Sequence, residues 1–133
     1  IFYKTAEHWM MASKARLFED TETLNKILEA PDPSSAKKLG RLVKNFNSDI
    51  WDENCTQIVF DGNVAKFSQN PILLGIMEAT RDKVLVEASA SDAIWGIGMN
   101  LKNAQMFNDP KLWRGKNLLG YALTHVREHL QDN

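Results

Sequence analysis

At 133 residues, with 44% hydrophobic and 25% charged side chains, the chain has the size and mixture of one soluble domain, able to bury about 68% of its unfolded surface. A net charge of -1 excludes a global attraction to phosphate backbones or anionic lipid, so any nucleic-acid contact must come from a local patch. The lone Cys55 forms no internal disulfide, and no apolar run reaches the roughly 18 residues of a membrane span. A reducing cytoplasm and no membrane partner are therefore expected. One domain over residues 1–133 is expected too, lacking an upstream segment because the chain opens on Ile1 rather than Met.

Thr5 caps a predicted helix reaching about Phe18, with Trp9, Met10, Ser13 and Leu17 along one face. Glu7 and Lys14 share a second face, about 10 Å apart along the axis, a span that the ends of a sugar phosphate fit. Leu24, Ile27 and Leu28 mark a short helix after Asp20 and Thr21, closed by Pro31. Asp32 and Pro33 open a third, whose buried stripe is expected at Ala36, Leu39, Val43 and Phe46. Asn47, Ser48 and Asp49 interrupt the pattern. A longer helix is expected from about Asp52 to Gln69, with Cys55, Ile58, Val59 and Gly62 inward.

Pro71 starts another helix carrying Ile72, Leu73, Ile76 and Met77. Val84, Leu85 and Val86, β-branched and bounded by charges, predict a strand in a small ribbon. From Ala88 to Gly115 the helical period lapses while Trp95, Gly96, Gly98, Phe107, Pro110 and Trp113 accumulate, predicting a long, functional loop. Asn117 opens a last helix with Leu119, Ala122, Leu123, Val126 and Leu130 inward. The fold class that follows is mainly α: a compact domain of about six helices with a minor β-ribbon.

Glu7-His8-Trp9 with Lys14, Leu39-Gly40-Arg41, Trp51 and Lys66-Phe67 form an ordered series. It continues through Val86-Glu87, Asp92-Ala93-Ile94-Trp95-Gly96, Gly115-Lys116-Asn117, Leu119-Gly120 and Arg127. In this order the motifs resemble the YbiA-like, or NADAR, family of N-glycosidases over nearly the whole chain. The resemblance implies that family's fold and an active site associated with Glu7, Asp92, Trp51 and Trp95. It implies no cofactor. The substrates it implies are phosphoribosylamino-pyrimidine intermediates of riboflavin synthesis, or ADP-ribose on modified guanine, with ADP-ribosylated DNA among the partners.

Cleaving a ribosyl C1′–N bond builds positive charge on the sugar, so a site needs a carboxylate near C1′, a water and help for the departing amine. Glu7, in a first helical turn, suits an ionised base or electrostatic role; the same position also merely complements the helix dipole. Asp92, in the aromatic loop, suits proton transfer or simply caps a turn. Trp51 and Trp95 offer faces for a ring to stack on, whereas Trp9 and Trp113 read as packing. Lys14, Arg41, Lys66 and Lys116 are candidate phosphate clamps, Lys116 favoured by the helix N-terminus that follows it.

His125-Val126-Arg127-Glu128-His129 spells an inverted zincin, but almost no sequence follows to supply a third ligand, so no metal is assigned. Gly96-x-Gly98 lacks the third glycine of a dinucleotide fingerprint and reads as loop geometry. Cys55 reads as a buried hydrophobe. The expected function is hydrolysis of a ribosyl C–N bond. A noncatalytic ADP-ribose or nucleotide-binding module is the alternative.

Overall fold

The computed structural model describes residues 3–131. They group into two units divided between Lys66 and Phe67.

In the first unit, α1 (Ala6–Leu17) begins where Thr5, itself extended, turns its hydroxyl back to accept the His8 N–H at 3.2 Å. Asp20 does the same for α2 (Thr21–Glu29) through Thr23, and Asp32 for α3 (Pro33–Gly40) through Ser35. These caps are where the residue types place them. The three helices pack on one another around Met11, Ala12, Ala15, Phe18, Ile27, Ala30, Ala36 and Val43.

Two expectations are corrected here. The buried residues of α1 are His8, Met11, Ala12, Ser13 and Ala15; of the row Trp9, Met10, Ser13 and Leu17 only Ser13 is buried, the other three being half-buried. Alanines carry little hydropathy but let helices approach closely, so periodicity weighted by large side chains points to the wrong row. The helix expected to run on to Phe46 stops at Gly40. Asn45 then takes a left-handed φ of 61°, which leaves Val43 buried but Phe46 45% exposed.

The helix α4 (Ser48–Ser68) starts earlier than expected. The Asn47 side-chain oxygen accepts the N–H groups of Asp49 and Ile50, so the polar triplet taken as a break is a cap followed by the first helical residues. Cys55, Val59 and Asn63 form its buried row. Gly62 leaves the space that the Trp9 ring fills, and the Trp9 indole N–H donates to the Ile58 carbonyl at 2.8 Å.

In the second unit, α5 (Pro71–Ala79) buries Met77 and exposes Ile72 and Ile76. No strand occurs among the described residues, and 84–86 run on without a ribbon partner. Their fixed points are instead the side chain of Asn117: its Nδ2 donates to the Leu85 carbonyl and its Oδ1 accepts the Glu87 N–H. A side-chain amide thus supplies the donor and acceptor that a neighbouring strand would have offered.

The expected long loop contains α6 (Leu101–Met106), capped by Asn100, and a 3-10 turn at Pro110–Leu112, capped by Asp109. The last helix, α7 (Leu118–Gln131), buries Gly120, Ala122, Val126 and Arg127. The Arg127 guanidinium donates to the Thr80 hydroxyl and the Lys83 carbonyl, each at 2.8 Å, which satisfies a cation that is only 4% exposed. Seven α-helices are therefore present among the described residues, α6 being the one not expected, in a mainly helical fold. No described helix is long and apolar enough to cross a membrane.

Candidate functional site

On the first unit the structure gathers charges and rings around Lys14. Its ammonium lies 4.5 Å from the Phe46 ring centre and 5.7 Å from that of Trp51, over the faces of both. Burial, and then the Arg41 guanidinium, push the Lys14 ammonium below the ordinary lysine range, while Glu7 pulls it back up. Glu7 in the first turn of α1, Lys14 in its last and Arg41 at the end of α3 therefore belong to one electrostatic neighbourhood. Trp51, half-buried at the start of α4, also packs against the core beneath. Such an arrangement has faces for a planar ring, two cations for phosphate and one carboxylate.

His8 fixes the helix that carries Glu7 and Lys14. It is 1% exposed, and its Nε2 donates to the Ala30 carbonyl at 2.9 Å, across to the end of α2. Because a carbonyl only accepts, a neutral ring carries its proton on Nε2, and Nδ1 of that tautomer accepts the Thr5 hydroxyl proton, at 2.7 Å. The Thr5 oxygen in turn accepts the His8 N–H, so one threonine serves both the helix start and the buried ring.

On the second unit, Asp92 and Trp95 lie in one tight turn. The Asp92 Oδ1 accepts the N–H of Ile94 at 3.0 Å and of Trp95 at 2.8 Å, and the Asp92 carbonyl accepts from Gly98. The amides leading into α7 meet this turn from the other side: Lys116 donates to Ala93, Asn117 to Gly96, Leu118 to Ile94 and Leu119 to Trp95. Gly115 is where this approach is closest, since a Cβ there would overlap the Gly96 carbonyl and the Ala93 backbone. The anion-friendly helix start inferred beside Lys116 is thus already occupied by carbonyls, leaving the exposed Lys116 side chain alone to offer an anion.

Lys66 stands at the far end of α4, about 22 Å from Trp51 by helical rise, and so outside the cluster around Lys14. Trp113 lies against Tyr121 and Trp9 against Tyr3, as packing residues do. His125 and Glu128 pair on the exposed face of α7 at 3.8 Å. Burial raises the Cys55 thiol above its ordinary range, which suits a buried hydrophobe. Three participants escape a reading of the sequence: Phe46, His8 as a scaffold, and Asn117. For Phe46 the signal was its two asparagine neighbours, Asn45 and Asn47, which mark turns.

A family model described as the NADAR domain matches residues 1–131. N-glycosidase R617 of Acanthamoeba polyphaga mimivirus is 48% identical over 130 residues, covering 98% of this chain and 76% of its own. Protein irg-1 of Caenorhabditis elegans is 35% identical over 130 residues, of which this chain spans 61% of the length. The NMR structure of the E. coli protein YbiA superimposes with a TM-score of 0.77 at 30% identity, covering 98% of this chain and 68% of that one. With the motif series, the helical order and these matches in agreement, the chain belongs to the NADAR domain family.

Proposed function

We propose that this domain is an N-glycosidase that hydrolyses the C1′–N bond of a phosphorylated ribosyl compound. The observation that carries the reading is the placement of Lys14 beside Arg41 and over Phe46 and Trp51, with Glu7 in the same neighbourhood. Two neighbouring cations raise each other's free energy, and an anionic phosphate relieves that repulsion. The rings accept the planar base, and relatives such as N-glycosidase R617 and N-glycosidase YbiA carry the activity in their names.

In this reading Glu7 stabilises the oxocarbenium-like centre or orients the attacking water. Its oxygen ends on C1′, and the departing nitrogen gains a proton with help from Asp92. Trp51 and Trp95 frame the rings, Lys14 and Arg41 hold phosphate, and Lys116 supplies a further cation, whereas Lys66, at the far end of α4, reaches only a more extended, second phosphate. The substrate is a phosphoribosylamino-pyrimidine intermediate of riboflavin synthesis or ADP-ribosylated guanine in nucleic acid, and the setting is the cytoplasm.

The purified domain is assayed against both substrates in parallel. Release of ribose 5-phosphate alone makes it a small-metabolite hydrolase; release of ADP-ribose alone makes it a nucleic-acid de-modifying enzyme. Binding of ADP-ribose without cleavage of either substrate overturns the enzymatic reading in favour of a binding module.

A further inference from the structure

From this geometry we infer that Asn117 is a positioning residue for the reaction, acting through the turn that carries Asp92 and Trp95. The inference rests on the proposed roles of those two residues. Asn117 is completely buried, and its backbone is left-handed, at a φ of 53°. That conformation is uncommon for a residue with a side chain, and asparagine tolerates it better than most.

All its polar groups are engaged. Its N–H donates to the Gly96 carbonyl at 2.9 Å, its Oδ1 accepts the Glu87 N–H at 2.9 Å, and its Nδ2 donates to the Leu85 carbonyl at 3.0 Å. Its carbonyl accepts the Tyr121 N–H inside α7. Glu87 continues the chain of bonds by accepting the Ile97 N–H at 2.9 Å, and Asp92 closes it by accepting from Gly98.

One residue therefore joins three pieces of backbone: its side chain holds segment 85–87, while its own N–H and carbonyl hold the Asp92–Gly98 turn and the start of α7. The two backbone links are open to most residues, but no other residue type adds both side-chain bonds at this φ. Glycine adopts the φ but brings no amide; aspartate brings an acceptor for Glu87 but no donor for Leu85; glutamine is a methylene too long. The fixed point matters because the side chain of Asp92 is oriented by the same turn, through Ile94 and Trp95. A catalytic carboxylate displaced by about 1 Å loses up to ~10²-fold in rate while substrate binding is little changed.

The test is Asn117→Gly, which keeps the backbone conformation and deletes the amide, studied in the domain with whichever substrate it cleaves. The expected result is a fall in kcat of roughly tenfold or more, with KM within about threefold. In the Asp92→Asn background the same change should alter kcat by less than about twofold, because residues acting through one another are not additive. Amide exchange at Ile97 and Gly98 should quicken in Asn117→Gly.

Met77→Ala, a core change elsewhere in the same unit, serves as the control for lost stability and should leave kcat intact below its melting temperature. Full additivity with Asp92→Asn, or an equal fall in kcat in Met77→Ala, overturns the inference. If the wild-type domain cleaves neither substrate, the functional reading fails by itself. Unchanged exchange at Ile97 and Gly98 then sinks the structural part separately.

Discussion

The Lys14 ammonium sits over the Phe46 ring at 4.5 Å with Arg41 and Glu7 pulling its titration in opposite directions. Because burial and Arg41 lower it, Lys14 loses its charge at a lower pH than an ordinary lysine. The KM for a phosphorylated substrate should accordingly rise on the alkaline side. Arg41→Gln removes a lowering influence and should move that rise to higher pH; Glu7→Gln removes a raising one and should move it to lower pH. Lys14→Ala should raise KM by about tenfold and abolish the rise. KM profiles of the four proteins decide this, and identical alkaline limbs in all of them would remove Lys14 from the phosphate site.

Glu7→Gln and Asp92→Asn should each lower kcat by about 10²-fold with the fold intact. Asparagine retains an oxygen for the N–H groups of Ile94 and Trp95, so Asp92→Asn changes charge and proton transfer while sparing the turn. Circular dichroism and single-turnover rates on the same samples provide the check, and wild-type rates in a folded variant would exclude that carboxylate.

Asp20 governs acid stability. The Lys44 N–H and the Thr23 contacts hold its carboxyl at about 2, bridging the start of α2 to the chain beyond α3. With the folded value depressed, its stabilising effect is complete above the unfolded carboxyl range, near ~4, and is lost as pH falls towards 2. Asp20→Asn should melt lower than wild type at neutral pH, and the gap should close on acidification. Parallel melting curves at about pH 6 and about pH 2.5 measure it, and a constant gap would contradict the assignment.

His8→Ala should cost about 2–4 kcal/mol, because it opens a cavity and leaves the Ala30 carbonyl with the Lys4 ammonium as its one remaining side-chain donor. Thr5→Val loses both the helix cap and the hydrogen bond to the ring. Urea unfolding of both single variants and the double variant should reveal non-additivity of about 1 kcal/mol. Strict additivity would show that the two side chains do not act together.

The parts legible from the sequence are those fixed within a few residues. Thr5, Asp20, Asp32 and Pro33 announce helix starts because a cap bonds within its own turn. The shared face of Glu7 and Lys14 follows from helical repeat alone. Long-range choices were not legible. Val84 to Val86 have strand-like preferences, but pairing depends on what lies alongside, and Asn117 lies thirty residues away in sequence from the Glu87 it holds. The apolar spacing of Val43 and Phe46 continued a helix on paper, whereas the turn at Asn45 brings Phe46 under Lys14 instead.

The Ile97 carbonyl accepts the Arg114 N–H at 2.9 Å, so the excursion holding α6 and the 3-10 turn leaves and re-enters the second unit at one point. Each doubling of a closed loop costs only about 0.6 kcal/mol of entropy, and nothing beyond that junction need shift when its length changes. Residues 100–112, beyond the buried Met99, are thereby an exchangeable cassette: their length and surface chemistry are open to variation while the Asp92 turn and the start of α7 stay in register.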